Sequence, residues 1–277
     1  MKNIFLIFFA FISTLFGGNK FLSQPNNSVP TLSPTPITSP TPSPTPKPLT
    51  FAERNALYGP CVQLPTLMYH HIQTKESATP KKQLGLTVFT DVFTSQMQYL
   101  KSKGYNTLSL SDLINFFDAG ITPPKHSVLL TFDDGYADFY TDAYPVLSGL
   151  GFKATMFVPT GLVGNPDYMT WDQITSMNNN ILFANHTWSH ANVGISTEKM
   201  KYEISTADTQ LSAHGLNNPK TFAYPYGLDS HQAEIYLNSL GYKVAFSTTP
   251  GNILCKKQRF DLPRIRIGNS SLSSYGF

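Results

Sequence analysis

The stretch Ser127-Val128-Leu129-Leu130-Thr131-Phe132-Asp133-Asp134-Gly135 places two adjacent carboxylates at the end of a mostly apolar run. A short run of this kind is typical of a buried strand. A second apolar run, Ile181-Leu182-Phe183-Ala184, is followed by His186 and His190. In a β/α barrel the loops that follow the strands share one face and carry the catalytic groups, so we expect the two motifs to meet there.

One carboxylate and two imidazoles form a three-ligand set with an open position, which is typical of catalytic zinc. The second carboxylate is then free to act as general base toward a water molecule. Each motif alone has a simpler explanation, because adjacent aspartates often cap the next helix and a His-x-x-x-His pair can share a helix face by chance. The combination of both motifs after buried strands favours a metal-dependent hydrolase.

Apolar strands alternate with helical segments, which implies a parallel sheet covered by helices. Strands are expected at 67–70, 127–132, 153–158, 181–185, 221–224, 243–247 and 262–267. Helices are expected at 91–103, 111–120, 138–150 (interrupted by Pro145), from 171, at 196–214 and at 230–240. With about seven strands and no Gly-x-Gly-x-x-Gly motif, the pattern favours an incomplete β/α barrel over a dinucleotide-binding sheet.

The chain of 277 residues divides into three parts by composition. Residues 1–22 contain an apolar run of about 13 residues, shorter than the ~20 of a full membrane span, so we predict a signal peptide or an uncleaved anchor. Residues 23–60 are rich in Pro, Ser and Thr and predict an extended linker, either a stalk or a disordered tail. Residues 61–277 have the composition of one globular domain.

Charge and cysteine content narrow the function classes. A net charge of +3 without a basic cluster argues against nucleic-acid binding. The absence of Gly-x-Ser-x-Gly argues against a serine hydrolase of that type. The two cysteines, Cys61 and Cys255, lie near the ends of the domain, and in an exported protein we expect them to form a disulfide rather than two buried thiols.

Three motifs in this order resemble the polysaccharide deacetylase family, the NodB-homology group or carbohydrate esterase family 4. They are Thr131-Phe132-Asp133-Asp134-Gly135-Tyr136, His186-Thr187-Trp188-Ser189-His190 and Phe222-Ala223-Tyr224-Pro225-Tyr226-Gly227. Three further segments resemble the branch that contains the poly-β-1,6-N-acetylglucosamine deacetylases. These are Leu67-Met68-Tyr69-His70-His71-Ile72, Met169-Thr170-Trp171-Asp172-Gln173-Ile174 and Leu262-Pro263-Arg264-Ile265.

The resemblance implies an α/β fold, a deformed (β/α)7 barrel of the NodB-homology type. It implies Zn²⁺ or another divalent transition metal such as Co²⁺ or Ni²⁺ as cofactor, and Asp133 as general base. The metal ligands it implies are Asp134, His186 and His190. It also places a backbone N–H that binds the oxyanion near Tyr226, after Pro225.

Two departures from the family pattern concern proton transfer and the base. Ala223 stands where many members have an arginine that orients the base, and we expect Arg264 to approach Asp133 instead. No Leu-x-His motif follows His231. The related branch recruits a histidine from its N-terminal strand, so we predict His70 as general acid, the alternative being a structural histidine at a strand end.

The neighbours of these residues support weaker predictions. His71 is expected to point to the opposite face of its strand from His70. Trp171 either lines the site or belongs to the core. Aromatic side chains that could form platforms for sugar rings are Tyr136, Trp188, Tyr224 and Tyr226.

The sequence therefore predicts a hydrolase that removes N-acetyl groups from a polysaccharide containing N-acetylglucosamine. Poly-N-acetylglucosamine, peptidoglycan and chitin-like oligomers remain open as substrates. The alternatives are an esterase for O-acetyl xylan and a catalytically silent, metal-stabilised glycan-binding module. We expect an extracytoplasmic monomer, secreted or anchored to the outer face of the membrane, whose partner is the N-acetylated polysaccharide.

Overall fold

The computed structural model describes residues 48–277 except 178 and 195. The predicted leader and most of the predicted linker lie outside these residues. The compact unit begins at Pro48, and residues Phe51–Tyr58 form a helix with a capping box at Thr50. The folded unit therefore starts before the boundary at Cys61 that composition suggested.

The described part of the chain consists mainly of strands followed by helices. The strands are β1 (Cys61–Gln63), β2 (Thr66–Tyr69), β3 (His71–Gln73), β4 (Thr87–Phe89), β5 (Asn106–Leu108), β6 (Ser127–Phe132), β7 (Ala154–Val158), β8 (Ile181–Asn185), β9 (Thr221–Ala223), β10 (Val244–Pro250), β11 (Ile253–Cys255) and β12 (Leu262–Arg266). The helices are α1 (Phe51–Tyr58), α2 (Lys75–Ala78), α3 (Thr90–Ser102), α4 (Leu110–Ala119), α5 (Tyr144–Leu150), α6 (Trp171–Ser176), α7 (Thr197–Ala213) and α8 (His231–Ser239).

Seven parallel strands close into a barrel in the order β2, β12, β10, β9, β8, β7, β6 and back to β2. This confirms the α/β fold and the deformed (β/α)7 barrel. The deformation is visible at β6, where the same edge of the strand pairs with two other strands. Its first half pairs with β5, from Asn106 opposite Ser127, and its second half with β2, up to Tyr69 opposite Phe132.

The period of two along each strand separates the interior of the barrel from its outer layer. On β6, Val128, Leu130 and Phe132 join the core under the surrounding helices, whereas Thr131 and Asp133 face inward. Phe157 of β7 and Phe246 of β10 belong to strands that are not neighbours, and their ring centroids are 5.9 Å apart. Such contacts cross the barrel, so its interior is filled with side chains.

Two helices differ from the sequence expectation. The second predicted helix is capped by Ser109 rather than Ser111, since the side chain of Asp112 accepts from the Ser109 backbone in a capping box. The predicted helix 138–150 is helical over these residues, but Phe139–Ala143 form a π-helical turn directly before α5, whose second residue is Pro145. A proline has no N–H to donate to the preceding turn, and the wider π-helical turn accommodates it, so the helix continues to Leu150.

Cys61 and Cys255 form a disulfide, as the sequence predicted. They are opposite partners in the antiparallel pair of β1 and β11, and α1 packs beside this pair. The disulfide therefore joins the start of the domain to its last strands. None of the helices in the described residues is both long and apolar enough to cross a membrane.

Replacing both Cys61 and Cys255 with alanine is expected to lower the free energy of unfolding by about 2–5 kcal/mol, because the bond closes a loop across 194 residues. Urea unfolding without reductant measures this loss. Under reductant the wild type and the double variant should unfold at similar urea concentrations. An oxidised wild type no more stable than the variant would contradict the prediction.

Candidate active site

The two carboxylates after β6 point in different directions. Asp133 continues the inward face of the strand, and only 3% of it is exposed. Asp134 has a φ of 75°, in the left-handed region, and Gly135 follows with a φ of 70°. A left-handed aspartate is uncommon and persists only where the surrounding structure holds it. The turn separates the adjacent side chains so that each meets different partners.

Asp134, His186 and His190 form a cluster at the mouth of the barrel. Asp134 Oδ1 lies 3.4 Å from His186 Nε2 and 3.1 Å from His190 Nε2. One potential ligand atom from each residue lies within 4.8 Å of the others. His190 also has a left-handed backbone, with a φ of 58°. The structure thus brings together the three residues that the sequence grouped as metal ligands.

The chemistry of this cluster fits a cation. His186 Nδ1 lies 2.7 Å from the carbonyl oxygen of Ala223, which fixes the proton on that nitrogen. In the neutral imidazole, Nε2 of His186 is then a hydrogen-bond acceptor. It faces the Asp134 carboxylate, which is also an acceptor. Asp134 Oδ1 is buried without a hydrogen-bond donor among the described residues. Two histidines and one carboxylate are also the donor set of open zinc sites, so a divalent transition metal fits here.

The charges in the cluster reinforce one another. Burial alone raises the pKa of the Asp134 carboxyl, but His186 and His190 outweigh it and hold that pKa well below its ordinary value. Burial alone lowers the pKa of His186, but the carboxylates of Asp134 and Asp133 outweigh it and raise that pKa. The site therefore attracts positive charge, as a proton or as a metal ion.

Asp133 is held by Arg264 inside the barrel. Nη1 of Arg264 lies 2.8 Å from Oδ1 of Asp133 and Nη2 lies 2.7 Å from Oδ2, a bidentate pair. Arg264 is fully buried, and its Nε donates to the carbonyl of Ser247 on β10. Arg264 thus contacts Asp133, as expected from the sequence. It occupies the place next to this carboxylate that an arginine at position 223 would otherwise take, where this chain has Ala223.

The ion pair keeps Asp133 ionised. Burial alone raises the pKa of Asp133, but the Arg264 guanidinium and His186 outweigh it, and the pKa lies below its ordinary value. Each carboxylate oxygen has a second lone pair, so a carboxylate bound to arginine can still accept a proton or a hydrogen bond from water.

His70 and His71 face opposite sides of the chain, in agreement with the expected alternation. His70 follows β2 beside Asp133, whose N–H donates to the Tyr69 carbonyl at 3.0 Å. Burial lowers the pKa of His70, although Asp133 and Asp134 act in the opposite direction. His71 lies in the outer layer, where its Nδ1 is 2.5 Å from Oδ2 of Asp138. His70 is thus the histidine of the pair whose pKa the carboxylates of Asp133 and Asp134 affect.

The remaining predicted residues separate into two groups. Tyr226 follows Pro225 in a tight turn, has a φ of 61° and is 63% exposed, with its ring centroid 4.7 Å from that of His190. Trp171, in contrast, stacks on His214 with ring centroids 4.0 Å apart and packs against the core. The structure places Tyr226 at the mouth of the site and Trp171 in the outer layer, so the core alternative describes Trp171.

Sequence reasoning missed the residues that support the loop between the two histidines. Glu203 on α7 accepts hydrogen bonds from this loop, and Asn185 accepts one from the Thr187 backbone at 2.8 Å. Glu203 lies in the apolar stripe of α7 between Met200 and Ile204, and a carboxylate at such a position is a signal of internal partners.

Comparison with known proteins agrees with this geometry. A family model described as polysaccharide deacetylase matches residues 120–245. The protein YxkH of Bacillus subtilis (strain 168), whose name assigns it to the polysaccharide deacetylases, is 30% identical over 220 residues, which cover 77% of this chain and 75% of YxkH.

The chain belongs to the polysaccharide deacetylase family. Another relative is the poly-β-1,6-N-acetyl-D-glucosamine N-deacetylase of Staphylococcus aureus (strain MRSA252), 26% identical over 210 residues that cover 70% of this chain and 72% of that protein. Among solved structures, the Streptococcus pyogenes deacetylase PplD in complex with acetate is 32% identical and superposes with a TM-score of 0.71 over 77% of this chain and 96% of PplD.

Replacing Arg264 with Gln is expected to lower the free energy of unfolding of this deacetylase-family domain by about 3–5 kcal/mol at neutral pH, because it leaves the Asp133 carboxylate buried and unpaired. In the wild type the lowered pKa of Asp133 contributes stability above the pKa of the unfolded state. In the variant the guanidinium no longer opposes burial at Asp133, so the deficit in the free energy of unfolding should shrink as pH falls and Asp133 becomes neutral. Urea unfolding at several pH values measures this trend.

The matched control for this ion pair is Arg266→Gln on the same strand, since Arg266 is exposed and its Nη2 donates to the Gly85 carbonyl. It should change stability by less than 1 kcal/mol. A second variant, Arg264→Gln with Asp133→Asn, should recover part of the loss. A deficit that is independent of pH would speak against a charge effect.

Proposed function

We propose that this protein is a metal-dependent deacetylase that removes N-acetyl groups from an N-acetylglucosamine polysaccharide, releasing acetate and leaving a free amine. The observation that carries the proposal is the juxtaposition of an ionised, arginine-held carboxylate with a three-ligand acceptor cluster at one mouth of the barrel. Membership in the polysaccharide deacetylase family supports the reaction class. The named activity of the Staphylococcus aureus relative supports the substrate class.

The ligands of the metal would be Asp134, His186 and His190. A bound Zn²⁺, or another divalent transition metal, would supply Lewis acidity toward the acetyl carbonyl oxygen and lower the pKa of the attacking water. Asp133 accepts the proton of that water, and Arg264 keeps Asp133 ionised and aimed. The backbone N–H of Tyr226 donates to the developing oxyanion.

The departing amine needs a proton, because an amide anion is too poor a leaving group at neutral pH. His70 is the residue we assign to this step, since it follows β2 beside Asp133 and the carboxylates of Asp133 and Asp134 affect its pKa. The contact of His71 with Asp138 supports the choice of His70 over His71. The exposed ring of Tyr226 offers a platform for the sugar.

Export belongs to the same proposal. The apolar N-terminal run and the disulfide are typical of a protein that acts outside the cytoplasm, secreted or anchored to the outer face of the membrane. A deacetylated glycan carries cationic amines at neutral pH, which changes its adhesion to other surfaces. We expect the protein to act as a monomer on a polysaccharide outside the cytoplasm.

The test of the function is acetate release from β-1,6- and β-1,4-linked N-acetylglucosamine oligomers by the full chain. Release should vanish after chelation and return with Zn²⁺ or Co²⁺. Asp133→Asn should lose at least 10²-fold in kcat, because the amide cannot accept the proton of the water. Because this change also leaves Arg264 without its carboxylate, far-UV circular dichroism and retained Zn²⁺ binding establish that the variant is folded. Metal binding without acetate release from these oligomers, from peptidoglycan or from acetylated xylan would favour a glycan-binding module instead.

Replacing His70 with Asn should lower kcat on N-acetyl substrates by about 10²–10⁴-fold if His70 is the general acid. An aryl acetate should be affected much less, because its leaving group departs without a proton. Burial lowers the pKa of His70, so its acid form is lost as pH rises through a value below that of a free imidazole. The alkaline decline of kcat in the wild type should therefore be absent in the variant. Equal losses on amide and ester would contradict the role.

A further inference from the structure

A buried carboxylate on α7 supports the loop that carries both histidine ligands. Glu203 is 2% exposed and sits in the apolar stripe of the helix. Its Oε2 accepts from the Trp188 N–H at 3.1 Å and from the Ser189 N–H at 2.7 Å, and its Oε1 accepts from the Ser189 hydroxyl at 2.7 Å. All three donors belong to the residues between His186 and His190.

Glu203 has no cationic partner among the ion pairs of the described residues. Its charge is therefore compensated by the loop itself, through two amides and one hydroxyl. Hydrogen bonds to an ionised acceptor are about twice as strong as neutral ones. A buried carboxylate with such partners holds its donors in place, and the energy of leaving it unsatisfied opposes any movement of the loop.

The opposite edge of the same loop is bound as well. The carbonyls of Thr187 and Trp188 accept from the N–H groups of Thr160 and Gly161, at 3.2 and 2.7 Å. A Cβ on Gly161 would lie 2.6 Å from the Trp188 indole nitrogen, so the close approach requires glycine there. The loop is thus clamped between Glu203 on one side and the turn after β7 on the other.

The clamp is needed because the loop is strained. Thr187 and His190 have φ values of 67° and 58°, in the left-handed region. Residues other than glycine are strained in this region and persist there only where their surroundings hold them. Without Glu203 the amides of Trp188 and Ser189 would lose their acceptor, and the backbone between the ligands could relax.

We infer that Glu203 is a positioning residue for metal binding, which acts by fixing the distance and orientation of His186 and His190. The inference rests on the proposed metal site. For this role the length of the Glu203 side chain is more important than its charge, because the side chain must reach three donors in one loop. Outer residues of this kind typically change metal affinity by 10–100-fold when they are replaced.

Two substitutions separate reach from charge. Glu203→Asp keeps the charge but is one methylene shorter and cannot reach both amides, so the Kd for Zn²⁺ should rise at least 10-fold. Glu203→Gln keeps the length, its Oε1 can accept from the amides, and its Nε2 can donate to the Ser189 hydroxyl. We expect the Kd for Zn²⁺ of this variant to rise much less than that of Glu203→Asp.

The measurement is competition for Zn²⁺ between the full chain and a chromophoric chelator, together with the visible absorption of bound Co²⁺, which reports ligand geometry. Glu198→Asp is the matched control, since Glu198 lies on the first turn of the same helix and is exposed. It should change neither readout. Far-UV circular dichroism establishes that each variant is folded before the comparison.

An unchanged Kd and Co²⁺ spectrum in folded Glu203→Asp would overturn the positioning role. A Kd that rises in Glu203→Gln but not in Glu203→Asp would also overturn it, because the charge of the side chain rather than its length would then be decisive. If the wild type itself bound no Zn²⁺ or Co²⁺, the metal site proposed above would fail. If the wild type bound Zn²⁺ and the Glu203 variants bound it equally well, the proposed metal site would stand and only the role of Glu203 would be wrong.

Discussion

The structure of the site depends on one buried ion pair, between Asp133 and Arg264. The two residues come from β6 and β12, which are separated in the barrel by β2, so the pair bridges the interior. A carboxylate buried to this degree is stable in its charged form only with a partner, and the bidentate guanidinium provides it. The Asp133 carboxyl is consequently held in its ionised form, and its plane is fixed by the last strand of the barrel.

Beside this pair, the cluster of Asp134, His186 and His190 has an excess of acceptors. Its geometry depends on left-handed backbone at Asp134 and His190, which local preference alone does not favour. The strain is held by contacts outside the cluster, and the histidine loop illustrates how. The backbone strain at Asp134 and His190 brings the three acceptor groups together. The same arrangement makes the cluster attract a cation.

Long apolar runs and the motifs that follow them were predictable from the sequence. The bounds of β6 and β8 agree with expectation because each run is apolar and ends at a polar motif. The three-residue strands β1 and β5 carry too little periodicity to be recognised, although β9 of the same length was predicted. Helix α1 was missed because it follows a proline-rich segment whose composition dominates the region. The disulfide was predictable because both cysteines lie near the ends of the domain.

The supporting contacts were harder to predict because their partners are distant in sequence. Asp138 and His71 are 67 residues apart, and their contact depends on how β3 packs against the turn after β6. Trp171 had two explanations that the sequence could not separate, since an aromatic residue at a helix start serves either a core or a site. Only the packing against His214 distinguishes them.

The position of Ala223 shows how the family chemistry is preserved with a different arginine. Its carbonyl accepts from His186 Nδ1 at 2.7 Å, so this strand end orients the imidazole through its backbone, independently of the Ala223 side chain. The small methyl leaves the interior free for a guanidinium from elsewhere, and Arg264 enters from β12. Because a bidentate pair requires only that the two planar groups meet, either strand can supply the arginine. Loss of an arginine from the third motif is therefore compatible with an oriented base, and the missing residue gives no reason to regard the site as inactive.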